Sequence, residues 1–192
     1  MSNGGGGGKL VHMSEVALQQ MGDASRKENC SIRKFIEEGS VGIIRAYEMG
    51  YPPRKLMDML DVLQIHKDLG GILVPRAIFT EILKIKMGDQ EKEKLLEKWY
   101  DSGRWHGTRL NRASDDPISL FKLFLDSMGW NLNEVEVEEF EKKMKLVCVS
   151  SVITAEETEI LSRFISGALC GMEYTIEKED VMTGMIILEC SR

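Results

Sequence analysis

An α+β fold, with helices packed on a four-stranded antiparallel sheet and preceded by short N-terminal helices, is what the sequence predicts. Apolar residues recur at spacings of three and four as far as about Met128. From Glu134 the period changes to two over a hairpin, and a second strand pair closes the chain around Thr183-Gly184. Several helices and two hairpins of this kind are satisfied by one layer of each.

Residues 1–13 read MSNGGGGGKLVHM. A run of five glycines buries too little to offset its backbone entropy, so this stretch is expected to be a flexible leader or tag with a solvated His12. From Ser14 to residue 70, the apolar series Val16-Leu18-Met21, Ile32-Phe35-Ile36 and Val41-Ile43-Ile44-Tyr47 are punctuated by Gly39, Gly50 and Pro52-Pro53. That predicts a helical N-terminal extension of short helices joined by turns, closed by an amphipathic helix from Arg54 through Leu63. A helix-turn-helix over 33–59 would read DNA with PRKLMDMLDVLQ, where Asp58 and Asp61 cancel Arg54 and Lys55, so ordinary helix packing is the better account.

The main domain is expected over 71–192. Ile72-Leu73-Val74-Pro75 looks like a helix lead-in, and Ala77–Met87 carries Ile78, Phe79, Ile82 and Leu83 on one face before Gly88-Asp89. A second helix over Glu91–Arg112 has Leu95, Leu96, Trp99, Tyr100, Gly103, Gly107 and Leu110 at helical spacing. A third, Pro117–Met128, follows the capping cluster Ser114-Asp115-Asp116 and stops at Gly129. Val135 and Val137 then alternate with glutamates, and Met144, Leu146 and Cys148 alternate with Lys145, Val147 and Val149, across a turn at Glu141-Lys142-Lys143. Thr154 with Glu157 three residues on has capping-box spacing and opens a fourth helix to about Met172. The last strands are expected near Tyr174–Glu177 and Met185–Glu189.

The 192 residues, 43% of them hydrophobic, suffice for a core without disulfides or a structural metal. With 25 Lys and Arg against 31 Asp and Glu, the net charge of -6 argues against a nucleic-acid partner. No apolar stretch approaches the roughly 20 residues of a membrane span, and Cys30, Cys148, Cys170 and Cys190 form no C-x-x-C, so a reduced cytoplasm is expected. No Ser-His-Asp order, phosphate loop, metal-helix motif or dinucleotide fingerprint occurs, and the only histidines outside the leader are His66 and His106, which makes catalysis the weaker expectation. Gly103-x-x-x-Gly107 and Gly167-x-x-x-Gly171 each present small residues on one helix side, where a second helix or a ligand can approach.

The span from Ile72 to Arg192, about two thirds of the chain, resembles the 4-vinyl reductase domain family, often described as predicted hydrocarbon-binding proteins. The likeness is carried in order by ILVPRAIF, YDSGRWHG, MGWNLNEVEVEEFEKKMKLVCV and RFISGALCG, followed by the hairpin with Gly184. Small subunits of the TRAPP vesicle-tethering complex have a similar fold, and the sensory domains of phenol- and xylene-responsive regulators look alike. The resemblance implies helices on one sheet face, a homodimer and an internal apolar cavity; with the motifs of catalysis absent, a small hydrocarbon, aromatic or lipid-like ligand is expected to be bound there without catalysis and without a cofactor.

Phe79, Trp99, Tyr100, Gly103, His106, Phe121, Phe124, Trp130, Phe164 and Gly167 are the residues expected to bind that ligand, a regulatory protein partner reading out occupancy. Many family members hold zinc on E-x-x-C-x-x-x-G-x-x-x-C. With Gly184 setting the register, the positions here are Glu177, Asp180 and Leu188, so both cysteines are missing. Cys190, with Cys148 or Cys170, is the only conceivable substitute, and no metal is expected. The alternatives are a TRAPP-like interaction module without an exchangeable ligand and, third, a reductase-associated protein of tetrapyrrole metabolism. A homodimer is also expected because the helices offer more apolar faces than one sheet face covers.

Overall fold

Serine side chains open the first two helices. Ser14 accepts the Ala17 amide and Ser31 the Lys34 amide, each at 3.2 Å, at the heads of α1 (Glu15–Lys27) and α2 (Ile32–Glu48). The computed structural model describes residues 11–127, 130–141 and 143–192, and the chain divides into two compact units, Met1–Leu56 and Met57–Arg192. The expected flexible leader lies outside the described residues up to residue 10, as do the Met128 end of the third helix, its Gly129 stop and the Lys142 of the hairpin turn.

In the first unit α1 and α2 meet where Gly22 faces the Ile32 side chain. The expected break at Gly39 does not occur. A lone glycine costs a helix only about 1 kcal/mol, and the pairs Arg33–Glu37 and Lys34–Glu38 brace the turn before it, so α2 runs unbroken through Gly39 and Gly42. No residue of α2 is buried, and Val41, Ile44 and Tyr47 stand 59–68% exposed.

The boundary between units falls within α3 (Pro53–Asp68). The second unit continues through α4 (Arg76–Leu83), α5 (Asp89–Ala113), α6 (Pro117–Ser127), β1 (Glu134–Phe140), β2 (Lys143–Val149), α7 (Ala155–Gly171), β3 (Thr175–Met182) and β4 (Met185–Ser191). It is α+β, with one four-stranded antiparallel sheet in the order β1-β2-β4-β3. Val135, Met144, Leu146, Cys148, Ile186, Leu188 and Cys190 form the buried face, in one core with Phe121 and Leu125 of α6 and with Ile165, Ala168 and Leu169 of α7. Two expected boundaries are corrected. α4 stops at Leu83 rather than Met87, its last turn tightened by the Lys84 amide reaching back to Thr80 and Glu81. β3 runs to Met182 rather than Glu177, because a register shift between Ile176 and Lys178 breaks the period-two pattern in the middle of a real strand.

Two close approaches set the geometry. Gly184, at φ +77°, turns β3 into β4; its amide donates to Thr158 Oγ1 at 2.9 Å and its carbonyl accepts the Ser150 amide at 2.7 Å. Between α5 and α7 the main chains touch. A Cβ on Gly103 would stand 2.0 Å from the Phe164 carbonyl oxygen, and on Gly107 1.9 Å from that of Ala168. Reciprocally, Gly167 faces the Tyr100 oxygen at 1.9 Å and Gly171 that of Arg104 at 2.2 Å. The two spaced glycine pairs therefore interlock.

Candidate functional site

Because Gly103 and Gly107 turn to α7, residues on another side of α5, Trp99, Ser102 and His106, face a cavity of about 530 Å³ bounded also by α4, α6, α7 and the segment Leu69–Val74. Six of the ten residues expected to bind ligand line it: Phe79, Trp99, His106, Phe124, Trp130 and Phe164. Four do not. Gly103 and Gly167 are consumed by the helix seam, and Tyr100 lies beside it, its carbonyl against Gly167 and its phenol held above its ordinary pKa by the Cys170 thiol and by burial. Phe121 is 1% exposed, in the core beneath Phe124 and Phe164.

The cavity has an aromatic wall and two polar ends. Trp99, Trp130 and Phe79 meet edge to face, with centroids 5.6–6.2 Å apart, a geometry worth about 0.5–1.5 kcal/mol per pair beyond area burial. At one end the His106 ring sits 5.2 Å from Phe164, 5.4 Å from Phe124 and 5.8 Å from the His66 ring. Its Nδ1 lies 2.8 Å from the Ser102 carbonyl. A carbonyl only accepts, so Nδ1 carries the proton and Nε2 presents a bare lone pair. Burial, with His66 adding to it, lowers the His106 pKa against the Ser102 bond, so the ring is neutral at pH 7. Among the described residues, His106 Nε2 and both ring nitrogens of His66 are buried without a hydrogen-bond partner.

At the other end Glu157, 2% exposed, accepts from the Thr154 amide at 2.8 Å, from Thr80 Oγ1 at 3.0 Å and from Arg76 Nη2 at 3.3 Å. Burial pushes this carboxyl up, but the three donors together bring it below its ordinary value, so it is ionised. Arg76 also donates to the Val152 carbonyl through the same Nη2 that meets Glu157. The capping box at Thr154–Glu157 is formed as the spacing predicts. The reach of Glu157 to α4, across 81 residues to Arg76, has no local sequence signal. His66, Arg76, Ser102, Ser127, Asn131, Ile153, Glu157 and the Leu69–Val74 segment are the cavity residues that sequence reasoning missed.

The degenerate zinc positions do not converge. Leu188 faces the core, Asp180 pairs with Ile187 on the opposite sheet face, and Glu177 reaches Lys143 at 3.3 Å. Cys148 and Cys190 are buried, their thiols pushed up by burial to about 12 and about 11, and Cys170 is exposed on α7. Among the described residues no group of three or more His, Cys, Asp or Glu side chains is placed to hold a metal ion. No described helix is long and apolar enough to cross a membrane.

Compared with protein-family models, curated proteins and solved structures, the chain finds no match.

Proposed function

We propose that the second unit binds, without transforming it, a small neutral molecule with an aromatic or hydrocarbon body and a hydrogen-bonding head, as the resemblance to the 4-vinyl reductase domain family implies. The observation that carries this reading is an aromatic-walled cavity lined by His66 and His106, three of whose ring nitrogens are buried without a hydrogen-bond partner among the described residues. Each such orphan costs about 1–3 kcal/mol, which a bound head group recovers. The head must donate to the bare Nε2 of His106, as a hydroxyl or N–H does. An anionic head is disfavoured among the described residues, because His106 is neutral and Arg76 is committed as the ion-pair partner of the ionised Glu157. That commitment also leaves Glu157 without a role as a mobile acid or base, which favours binding over turnover.

Titration with 2-naphthol, naphthalene and 2-naphthoate, followed by quenching of tryptophan fluorescence, tests the proposal. The expected order of affinity is naphthol, then naphthalene by a factor of roughly ten, the worth of about 1.4 kcal/mol, then naphthoate. Failure of all three to bind, or preference for the carboxylate, overturns it.

A protein partner enters the same reading. An α2 with no buried residue and with Val41, Ile44 and Tyr47 exposed favours a surface for a second copy of the chain. Sedimentation at micromolar concentration should show a dimer that an Ile44→Glu substitution dissociates.

A further inference from the structure

One wall of the cavity is built around a residue with no side chain. α3 ends through Gly70, at φ +75°, and the amides of Gly70 and Gly71 return to the carbonyls of Lys67 and His66 at 3.0 and 2.9 Å. This reversal lays Gly71 on the imidazole of His66. A Cβ at position 71 would stand 2.2 Å from both Cε1 and Nε2 of that ring and 2.5 Å from Cδ2. Five other glycines would bring a Cβ within 3 Å of another atom, Gly103, Gly107, Gly167, Gly171 and Gly184, and at each the nearest atom is a backbone carbonyl oxygen. Of these six close approaches among the described residues, Gly71 alone meets a side chain, and that side chain lines the cavity.

We propose that Gly71 is a positioning and specificity-determining residue of the ligand site. Its missing side chain is the seat of the His66 ring, which is thereby held beside His106 at the head-group end of the cavity. The inference rests on the cavity being a ligand site. It explains how a ring with no hydrogen-bond partner among the described residues keeps one position. The neighbouring segment reinforces the point. Among the described residues, Ile72 to Val74 make no backbone hydrogen bond, and Ile72 and Leu73 stand 77% and 80% exposed, so Gly71 is the last point at which this wall is tied to α3.

Gly71 is not in the left-handed region, so its backbone accepts alanine. The atoms such a Cβ would strike belong to a rotatable side chain, and the ring swings away before the fold yields. The Gly71→Ala protein should therefore keep its melting temperature within a few degrees and lose the discrimination between a hydroxylated ligand and its hydrocarbon parent.

The test is a double-mutant cycle on the full chain with 2-naphthol and naphthalene as probes. The expected result is that Gly71→Ala lowers the naphthol-over-naphthalene preference as far as His66→Ala does, roughly tenfold. In the His66→Ala background, adding Gly71→Ala should change nothing further. In the ligand-free protein, the His66 ring resonance, identified by its disappearance in His66→Ala, should shift in Gly71→Ala. Additive losses in the double variant, or an unmoved ring resonance, overturn this role and leave the ligand site standing. Wild-type protein that binds neither probe overturns both. If Gly71→Ala fails to fold but the double variant folds, the clash with the ring is established. If neither folds, the backbone rather than the ring is the constraint and the role falls.

Discussion

Helix α5 presents two faces that differ in kind. Toward α7 it offers Gly103 and Gly107, and the contact is main chain on main chain with every neighbour within 3 Å of a missing Cβ. Toward the cavity it offers Trp99, Ser102 and His106, whose neighbours are rotatable side chains and whose polar atoms include the bare Nε2 of His106. The first face is saturated, because nothing can be added without parting two helices. The second keeps one buried acceptor, His106 Nε2, without a hydrogen-bond partner among the described residues. The two faces of one helix are thus built differently, and substitutions should separate the stability of the seam from the binding proposed for the cavity.

The largest effect is expected in the seam. A leucine at Gly107 or Gly167 would drive its first carbon to 1.9 Å from a backbone oxygen, and neither backbone can rotate away as a side chain does. The cost should reach or exceed the upper end of the roughly 1–3 kcal/mol usual for overpacking. That is a fall in melting temperature of about 6–12 °C or more for a chain of this size. Calorimetry that finds either variant as stable as wild type would break the comparison at its firmest point.

Glu157→Ala ranks second and acts through both faces, since it removes the α7 cap and the partner of Arg76 and Thr80. About 2–3 kcal/mol is expected, and the loss should itself depend on pH. The native carboxyl lies below its ordinary 4.5, so its stabilisation is fully present above that pH and disappears as the pH falls through the native value. Denaturant titrations of wild type and variant should therefore converge in acid. A gap that stays constant down to pH 3 would mean that the ionised form of Glu157 is not what matters.

The smallest effect on stability is expected at His106. Replacing it by Phe removes an orphaned nitrogen along with the Ser102 bond, and the net change should stay within about 1 kcal/mol, while preference for the hydroxylated probe disappears and naphthalene binding persists. The pH response sharpens the comparison. Because the native His106 pKa lies below 6.5, the unfolded chain takes up the proton first, so wild-type stability erodes as the pH falls from 6.5 through the native value. His106→Phe should flatten that slope. A variant that instead loses stability at pH 8 would assign His106 to the core and not to the site.

What the sequence reveals follows the same division. The glycine pairs at spacing four, the capping box and the alternation of β1 and β2 are local patterns, and each is found where its spacing puts it. Six of the ten expected ligand residues reach the cavity because large apolar side chains on adjacent helices converge on any space the core leaves. The glycines expected beside the ligand went to the seam, because spacing alone does not say whether the close neighbour is a helix or a ligand. A division expected at residue 70 sets His66 apart from the other cavity residues, and no local pattern around it points to them; it lies in the compact unit Met57–Arg192. Arg76 and Glu157 were hidden by distance along the chain. Ile72 to Val74 are found as the expected lead-in to α4, but an apolar run before proline does not say whether it is buried or stretched along a rim.

The turn at Gly184 has a consequence for the order of assembly. Each hairpin closes locally, but β2 and β4, the central pair, are separated along the chain by all of α7 and β3, so their pairing carries the loop-closure cost of the sheet. Gly184 stands at that junction, with its amide on Thr158 of α7 and its carbonyl on the Ser150 amide just beyond β2. It therefore reaches its final bonds only when the helix and both hairpins have met. A turn amide ordinarily exchanges with solvent deuterium through local fraying; this one is buried on a helix hydroxyl 26 residues away, so its exchange should be slower than that of an open turn and should report the parting of α7 from the second hairpin.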